Sequence, residues 1–502
     1  MFLQVNEAPH RRGFRDSYTL PRVKSPHRST TASAEARSGT GRARCHPTCD
    51  GPGHNAPVDV LDSTPVNAVP STQTTGPHEP GQPKLFIRTV TLRDPADSLV
   101  RRLPAGSSLA WLNGDDGIVG WGEAARFDPV PQPEGTPPTD TARFEAAARW
   151  FGDLLEHADV HDEVGLPGTG LVTFGTFTFA PTSHGSALIV PRVVVGRRGG
   201  HTWLTTVTEE PGAHPEELLR PTSVPRPIGP LEWHPGSLTR DAWMEAVAGT
   251  VRRIRSGALE KAVLARDAVA DTCSPIDVRA LLERLSAGFP DCFTFSVDGM
   301  VGATPELLLR QEGDQFTSLV LAGTRPRGED PGADHQLGQE MLSSAKDVEE
   351  HGLAVDSLRT ALGPLTEELA VPAWPHLLKL ANVQHLATRA HARLSPGVSA
   401  LDAVAALHPT AAVGGTPTEA AMRLIAEVEG MDRGGYAGPV GWLDGAGNAE
   451  WGIALRCARV DGARARLFAG CGIVAGSEPA SEAAEAESKF RVMREALTDP
   501  GT

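Results

Sequence analysis

Residues 241–269, DAWMEAVAGTVRRIRSGALEKAVLARDAV, set a helix directly before a strand. Trp243, Val247, Val251 and Ile254 recur at helical spacing, so one apolar stripe is available to face a core, and Gly257 supplies the stop. Lys261 to Val269 then reads as a strand, because small and branched apolar residues run through it almost without a break. A helix handing straight to a buried strand, in a chain where both element types recur, predicts an α+β fold.

Working outward, Ser274-Pro275-Ile276-Asp277 predicts a further helix with Ser274 as cap, Pro275 at its first position and Gly288 at its end. From there helices and strands alternate to the end, with one long helix expected to contain Leu337 to Leu362. Upstream, Leu85-Phe86-Ile87, Ala110-Trp111-Leu112, Leu171 to Phe179, Ala187 to Val195 and His201 to Val207 read as strands. Asn113 to Gly117 reads as a turn, and Thr141 to Leu155 as a helix. The chain therefore divides into a sheet-rich stretch at 84–240 and a second region at 241–502, with no internal repeat.

Residues 1–83 are rich in Pro, Ser, Thr, Gly and Arg and lack apolar periodicity, so disorder is expected there and their removal should leave folding and turnover intact. Nine basic residues against Glu7, Asp16 and Glu35 in the first 44 also fit a transit peptide, and a misplaced start codon would give the same extension.

The 502 residues are 40% hydrophobic and 22% charged, with mean hydropathy −0.21, which excludes collagen-like, membrane and wholly disordered classes. No apolar run approaches the roughly 20 residues of a spanning helix, and no signal-peptide core stands near the start, so a cytoplasmic protein is expected. A net charge of −15 repels nucleic acid. The six cysteines, at 45, 49, 273, 292, 457 and 471, are too scattered for a disulfide framework; Cys45 and Cys49 with a nearby histidine are a weak zinc signal. Only six of the 47 basic residues are lysines, so each lysine asks for a reason.

Asp347 and Glu350 are three residues apart on one predicted helix, and Glu482 and Glu485 likewise on the last. Such acids, and the Glu485 to Lys489 spacing, are common surface decoration. Four carboxylates from two distant helices also suit a hard divalent cation such as Mg2+. Gly323-Thr324, after a strand over 316–321, and the turn Gly470-Cys471-Gly472 offer loosened backbone whose N–H groups can meet an anion. Arg456 can grip a carboxylate bidentately and Lys489 can add a point charge, although a lone arginine there is as readily an ion-pair residue. Lys261 opens an apolar strand, where a lysine either snorkels at an edge or, held neutral by burial and nearby cations, takes a proton from water. Glu306, after Thr304-Pro305, is the complementary acid if burial keeps it protonated. Thr416-Pro417-Thr418-Glu419 reads as a capping box opening a helix at Ala420. His385 is either a substrate contact or a satisfied core histidine, and Tyr436, with Tyr18 the chain's only tyrosines, is a pocket wall or core.

These residues fall within a series of strings: Lys261-Ala262-Val263-Leu264-Ala265-Arg266, Gly302-Ala303-Thr304-Pro305-Glu306, Leu321-Ala322-Gly323-Thr324-Arg325, His385-Leu386-Ala387-Thr388, His408-Pro409-Thr410, Gly414-Gly415-Thr416-Pro417, Tyr436 to Trp442, Gly470-Cys471-Gly472-Ile473-Val474 and Glu482-x-x-Glu485-x-x-x-Lys489. In this order the series resembles the chorismate-binding enzymes, strongly over residues 241–497 and loosely over 84–240. The resemblance implies an α+β fold of mainly antiparallel sheets surrounded by helices, Mg2+ as cofactor and chorismate as substrate. It implies Glu350 and Glu485 as direct metal ligands, with Asp347 and Glu482 acting through water. It assigns Arg456 and the Gly470 to Gly472 turn to the pyruvyl carboxylate, and adds Gly414, Gly415 and Thr416 to the ring pocket. Lys261 would activate the water that attacks C2, and Glu306 would protonate the departing 4-hydroxyl.

Within the family, anthranilate synthases typically have glutamine where this chain has Lys261, and aminodeoxychorismate synthases a lysine where it has Ala322. The isochorismate synthase branch is therefore expected. A salicylate synthase, which goes on to eliminate pyruvate, and a non-catalytic chorismate-binding protein are the alternatives. Cys471 stands where the family often has alanine and is expected to narrow the pocket slightly. A monomer is expected.

Overall fold

The computed structural model describes residues 84–93, 98–106, 108–211, 222–380 and 383–498. The expectations for residues 1–83, the Cys45 and Cys49 signal among them, lie outside the described residues.

The described residues form eight α-helices: α1 Ala142–His157, α2 Arg240–Arg255, α3 Val278–Gly288, α4 Pro331–Ser343, α5 Ala345–Leu362, α6 Ala400–Leu407, α7 Thr418–Val428 and α8 Pro479–Leu497. Trp243, Val247, Val251 and Ile254 are all buried along one face of α2. Burying each of the three aliphatic side chains contributes roughly 1.5–3 kcal/mol. The Thr239 hydroxyl caps this helix, accepting from the Ala242 N–H at 3.2 Å. The strand that follows, Lys261–Asp271, is largely buried and stands next to an edge strand of the first of two sheets.

That sheet has 13 strands, and the second has 10. The first runs Glu232–Pro235, Lys261–Asp271, Arg464–Ile473, Cys457–Asp461, Met300–Thr304, Phe293–Val297, then Leu109–Asn113, Asp116–Trp121, Val193–Arg198, His201–Thr208, Phe86–Thr91 and Asp159–Asp162. The second runs Thr366–Ala370, Val383–Leu394, Gln315–Pro326, Leu307–Glu312, Ala449–Ile453, Pro439–Asp444, Val172–Thr176, Ala187–Val190 and Ala125–Phe127; off these paths, Gly415–Thr416 pairs with Lys261–Asp271 and His376–Lys379 with Val383–Leu394. Strands from 84–240 and from 241–502 thus share both sheets. Pairing is antiparallel except between Phe86–Thr91 and Asp159–Asp162. The sheets meet over a core that includes Trp111, Phe174, Trp442 and Trp451, and the Trp111 indole N–H of the first donates to Glu450 of the second at 2.7 Å.

Several local expectations give way to stronger interactions. The single strand expected over 187–195 is two strands in different sheets, Ala187–Val190 and Val193–Arg198; the chain crosses at Pro191, which has no N–H to give a ladder. The helix expected to run through 337–362 breaks into α4 and α5 at Ser344, an extended residue whose hydroxyl accepts from the Asp347 N–H at 3.2 Å and so caps α5. Asp277, not Ser274, caps α3: its carboxylate accepts from the Arg279 N–H and also pairs with the buried Arg279 guanidinium at 2.7 Å. The capping box at Thr416 does not form. Thr416 pairs with Lys261 across a short strand, Gly415–Thr416, so α7 starts at Thr418 behind Pro417 with no side-chain cap.

Candidate active site

The two acidic helices rest on different sheets. Helix α5 packs on strand Gln315–Pro326 of the second, and α8 on strand Arg464–Ile473 of the first. A cavity of about 260 Å³ is lined from both sheets and both helices, and it brings together Lys261, Glu306, Gly323, Thr324, His385, Tyr436, Arg456, Gly470, Gly472 and Lys489 with Asp347, Glu350, Glu482 and Glu485.

The Gly414 to Thr416 segment and Cys471 are not in its wall. Thr416 is held in the short strand opposite Lys261, and Ala412 and Val413 line the cavity in place of the Gly414 to Thr416 segment. Gly470, Cys471 and Gly472 form no turn; they continue strand Arg464–Ile473, where successive side chains take opposite faces. Gly470 and Gly472 line the cavity, whereas the Cys471 thiol donates to the Glu482 carbonyl of α8 at 3.2 Å. The expected narrowing therefore does not occur. Gly472 leaves room for Lys261 and Glu350: a Cβ there would lie 2.6 Å from Glu350 Oε1 and 3.0 Å from Lys261 Cε, so one of the two side chains would have to move.

Gly323 and Thr324 likewise sit inside a strand rather than after one. A register irregularity falls between Ala322 and Thr324, and Gly323 absorbs it at φ 76°, a left-handed conformation. Thr324 pairs with His385 across the ladder. His385 Nδ1 is 3.1 Å from both the Gly323 carbonyl and the Thr324 hydroxyl. A carbonyl only accepts, so Nδ1 carries the proton and Nε2, which has no partner among the described residues, is an acceptor. Burial, reinforced by Arg456, pushes His385 down to about 3 and keeps the ring neutral.

Glu306 is buried at 6% exposure, and burial pushes its carboxyl up to about 7 against the pull of Arg456, Lys261 and Lys489. Arg456 stands where the chain crosses from strand Ala449–Ile453 to Cys457–Asp461, at φ 49°. Tyr436 is both wall and core: it stacks on Phe468 with ring centroids 5.1 Å apart, and burial raises its phenol to about 12, so it stays neutral.

Lys261 is 1% exposed, and its Nζ is 3.0 Å from Glu350 Oε1. The expectation of a lysine beside cations is thus corrected, since its immediate neighbour is a carboxylate. The other acids have cation partners too. Arg325 holds Asp347 at 3.0 Å, Lys346 is 4.0 Å from Glu482, and Lys489 is 2.7 Å from Glu485 while also donating to the Gly470 carbonyl at 2.8 Å. Burial works against the Glu485 carboxylate, but Lys489, Arg456 and Lys346 hold it below the usual range. Burial and the neighbouring Glu485 raise Glu482, against the pull of Ser477 and nearby lysines. Glu482 and Glu485 bring carboxylate oxygens within 4.8 Å of each other, with Asp347 and Glu350 on the other helix that lines the cavity, and such oxygen donors suit a hard divalent cation.

The sequence reading missed Arg325, Lys346, Ala412, Val413 and Arg433. Arg325 adjoins Thr324 in a quoted string and was open to notice. Arg433 carried no periodic signal: it is buried against Glu429 at 2.5 Å and also donates to the Val413 and Val263 carbonyls, tying the Lys261 strand to the loop before α7.

Comparison with known proteins points one way. The family profile described as chorismate binding enzyme matches residues 113–498. The salicylate biosynthesis isochorismate synthase of Pseudomonas aeruginosa is 43% identical over 290 residues, 56% of this chain and 61% of that one. The isochorismate synthase DhbC of Bacillus subtilis is 42% identical over 257 residues, 49% of this chain and 65% of that one. The match thus spans a little under two thirds of either relative. The solved menaquinone-specific isochorismate synthase MenF of Escherichia coli superposes with a TM-score of 0.68 at 24% identity, covering 83% of this chain and 96% of that one, which shows a common fold.

Proposed function

The chain belongs to the chorismate-binding enzyme family, on its isochorismate synthase branch, and from that premise we propose that it converts chorismate to isochorismate with Mg2+. One observation carries the reading: Glu306 is a buried acid that holds its proton near neutral pH, and it shares a cavity with a buried lysine.

In the proposed reaction Lys261 takes a proton from a water as its oxygen bonds to C2 of the ring. The double bonds shift, the C4–O bond breaks, and Glu306 gives its proton to the departing hydroxyl. One water enters and one leaves, so the product is an isomer. Arg456 and Lys489 supply the positive charge for the pyruvyl carboxylate beside Gly470 and Gly472. His385 Nε2 is the acceptor for a substrate hydroxyl. Glu350 and Glu485, with Asp347 and Glu482 behind them, are the residues that would hold Mg2+, whose bound charge would neutralise the ring carboxylate.

Incubating the purified chain with chorismate and Mg2+ and separating the products by chromatography tests this. Isochorismate alone is expected. Salicylate with pyruvate would replace the reading with a salicylate synthase, and binding without product would replace it with a non-catalytic protein. Excess EDTA should abolish turnover and added Mg2+ restore it; full activity in EDTA would remove the metal. A cytoplasmic monomer belongs to the same reading. No helix among the described residues is long and apolar enough to cross a membrane.

A further inference from the structure

A second, much smaller cavity shares Glu306 and Ala412 with the first. Its volume is about 20 Å³. That is room for about one water molecule, provided polar groups are there to hold it. Three hydroxyl residues line it beside Glu306: Ser318 from strand Gln315–Pro326, Ser357 from α5 and Thr410 from the loop after α6. The Thr410 Oγ1 is buried and has no hydrogen-bond partner among the described residues. A buried hydroxyl left in that state costs about 1–3 kcal/mol, which a bridging water recovers. His408-Pro409-Thr410 is also a string for which the main cavity finds no use, since Thr410 is absent from its wall.

The reaction leaves Glu306 as a carboxylate and Lys261 carrying the proton taken from water, so in each turnover Lys261 must release a proton to solvent and Glu306 must regain one. We propose that the small cavity holds one ordered water, bonded to Thr410 and Glu306, and that this water returns the proton to Glu306. As one of its O–H protons passes to the carboxylate, its oxygen takes a proton delivered from solvent by way of half-buried Ser357 on α5, so no hydroxide remains. Thr410 is a positioning residue that acts through the water. The inference rests on the reading of Glu306 as the acid. The charged groups that face Glu306 are Arg456, Lys261 and Lys489, from the sheet crossing, the strand Lys261–Asp271 and α8. The small cavity adds only hydroxyls, so a change at Thr410 leaves the charges in place.

The test pairs a high-resolution crystal structure with the kinetics of Thr410→Val, which keeps shape and removes the hydroxyl. The native crystal should show one water within hydrogen-bond distance of Thr410 and Glu306, and the variant should lack it. The variant's kcat should fall roughly 10-fold, short of the 10²-fold typical of losing the acid itself, with KM unchanged. Its alkaline limb should move up, because the ionised carboxyl loses a donor. Thr410→Ser should restore both. A native protein that makes isochorismate but has a dry cavity, or a Val variant with native kcat and an unmoved limb, overturns the water and leaves the functional reading standing. A native protein that makes no isochorismate overturns both.

Discussion

Strands and helices build opposite kinds of wall around the main cavity. The strand side buries Glu306 and His385 away from compensating partners, so desolvation decides their protonation: the acid is pushed up to about 7 and the imidazole down to about 3. The helix side carries Asp347, Glu350 and Glu485, each within 3.0 Å of a basic side chain. For Glu485 the neighbouring cations outweigh burial and hold the carboxylate below the usual range. A substitution on the first wall should therefore change where a proton sits, while one that disturbs the second should change what the site can hold.

The largest effects are expected where the chemistry needs a proton. Lys261→Ala and Glu306→Gln should each lower turnover by roughly 10²-fold or more, with much smaller changes in KM, because Arg456 and Lys489, which supply the charge for the substrate carboxylate, are unchanged. As an acid, Glu306 must be protonated, so native turnover should fall as pH rises through about 7. Stability gives an independent reading of the same group. Below the ordinary 4.5 both folded and unfolded chains hold the proton; between 4.5 and about 7 the unfolded chain binds fewer, so stability falls with rising pH. Above 7 the loss is complete, on the order of 3 kcal/mol. Glu306→Gln cannot titrate, so denaturant unfolding at pH 5 and pH 8 should show the native protein losing stability that the variant keeps. Equal losses in both would mean that Glu306 is not the buried acid described.

How far each wall could be read in advance follows from the same contrast. The resemblance carried by the residue strings put Lys261, Glu306 and His385 in one site, whereas apolar flanks alone left each of them with a second reading. The helix acids were legible as i, i+3 pairs and Lys489 as the i+4 partner of Glu485, but Arg325 and Lys346 were not legible as partners, since they reach Asp347 and Glu482 only through tertiary packing. Thr416, Cys471 and Ser274 were read from short strings, and each lost to an interaction that the string did not include. Thr416 went to the Lys261 ladder, Cys471 to the far face of its strand, and the cap at Ser274 to the Asp277–Arg279 pair. The sheet crossing at Pro191 was equally hidden, because Ala187 to Val195 is apolar on both sides of it.

A smaller effect should follow from pressing the strand wall onto the helix wall. Gly472→Ala places a methyl 2.6 Å from Glu350 Oε1, so the Lys261–Glu350 contact must shift. Misplacing reacting groups by such amounts costs up to about 10²-fold, and a fall of tens of fold in turnover is expected here. The Mg2+ concentration for half-maximal rate should rise with it, because Glu350 is displaced. A Gly472→Ala enzyme with native Mg2+ dependence would separate Glu350 from the metal.

The smallest effect belongs to the next residue along the strand. Cys471 is 1% exposed, but its thiol points at α8 and donates to the Glu482 carbonyl at 3.2 Å. Burial drives its pKa well above the ordinary 9.0, so it is an inert thiol rather than a thiolate ligand. Cys471→Ala would remove a weak hydrogen bond and one buried sulfur, a loss of about 1 kcal/mol. In a chain this long that lowers Tm by roughly 2 °C. Neither kcat nor KM for chorismate should move by more than about twofold, because that carbonyl belongs to the α8 backbone and its place is also fixed by the helix. The paired measurement is what matters: Gly472→Ala should disable the site with its neighbour intact, and Cys471→Ala should soften the fold with the site intact. A several-fold change in KM from Cys471→Ala would mean that the strand presents the other face to the substrate, and the assignment of Gly470 and Gly472 to the cavity would fall with it.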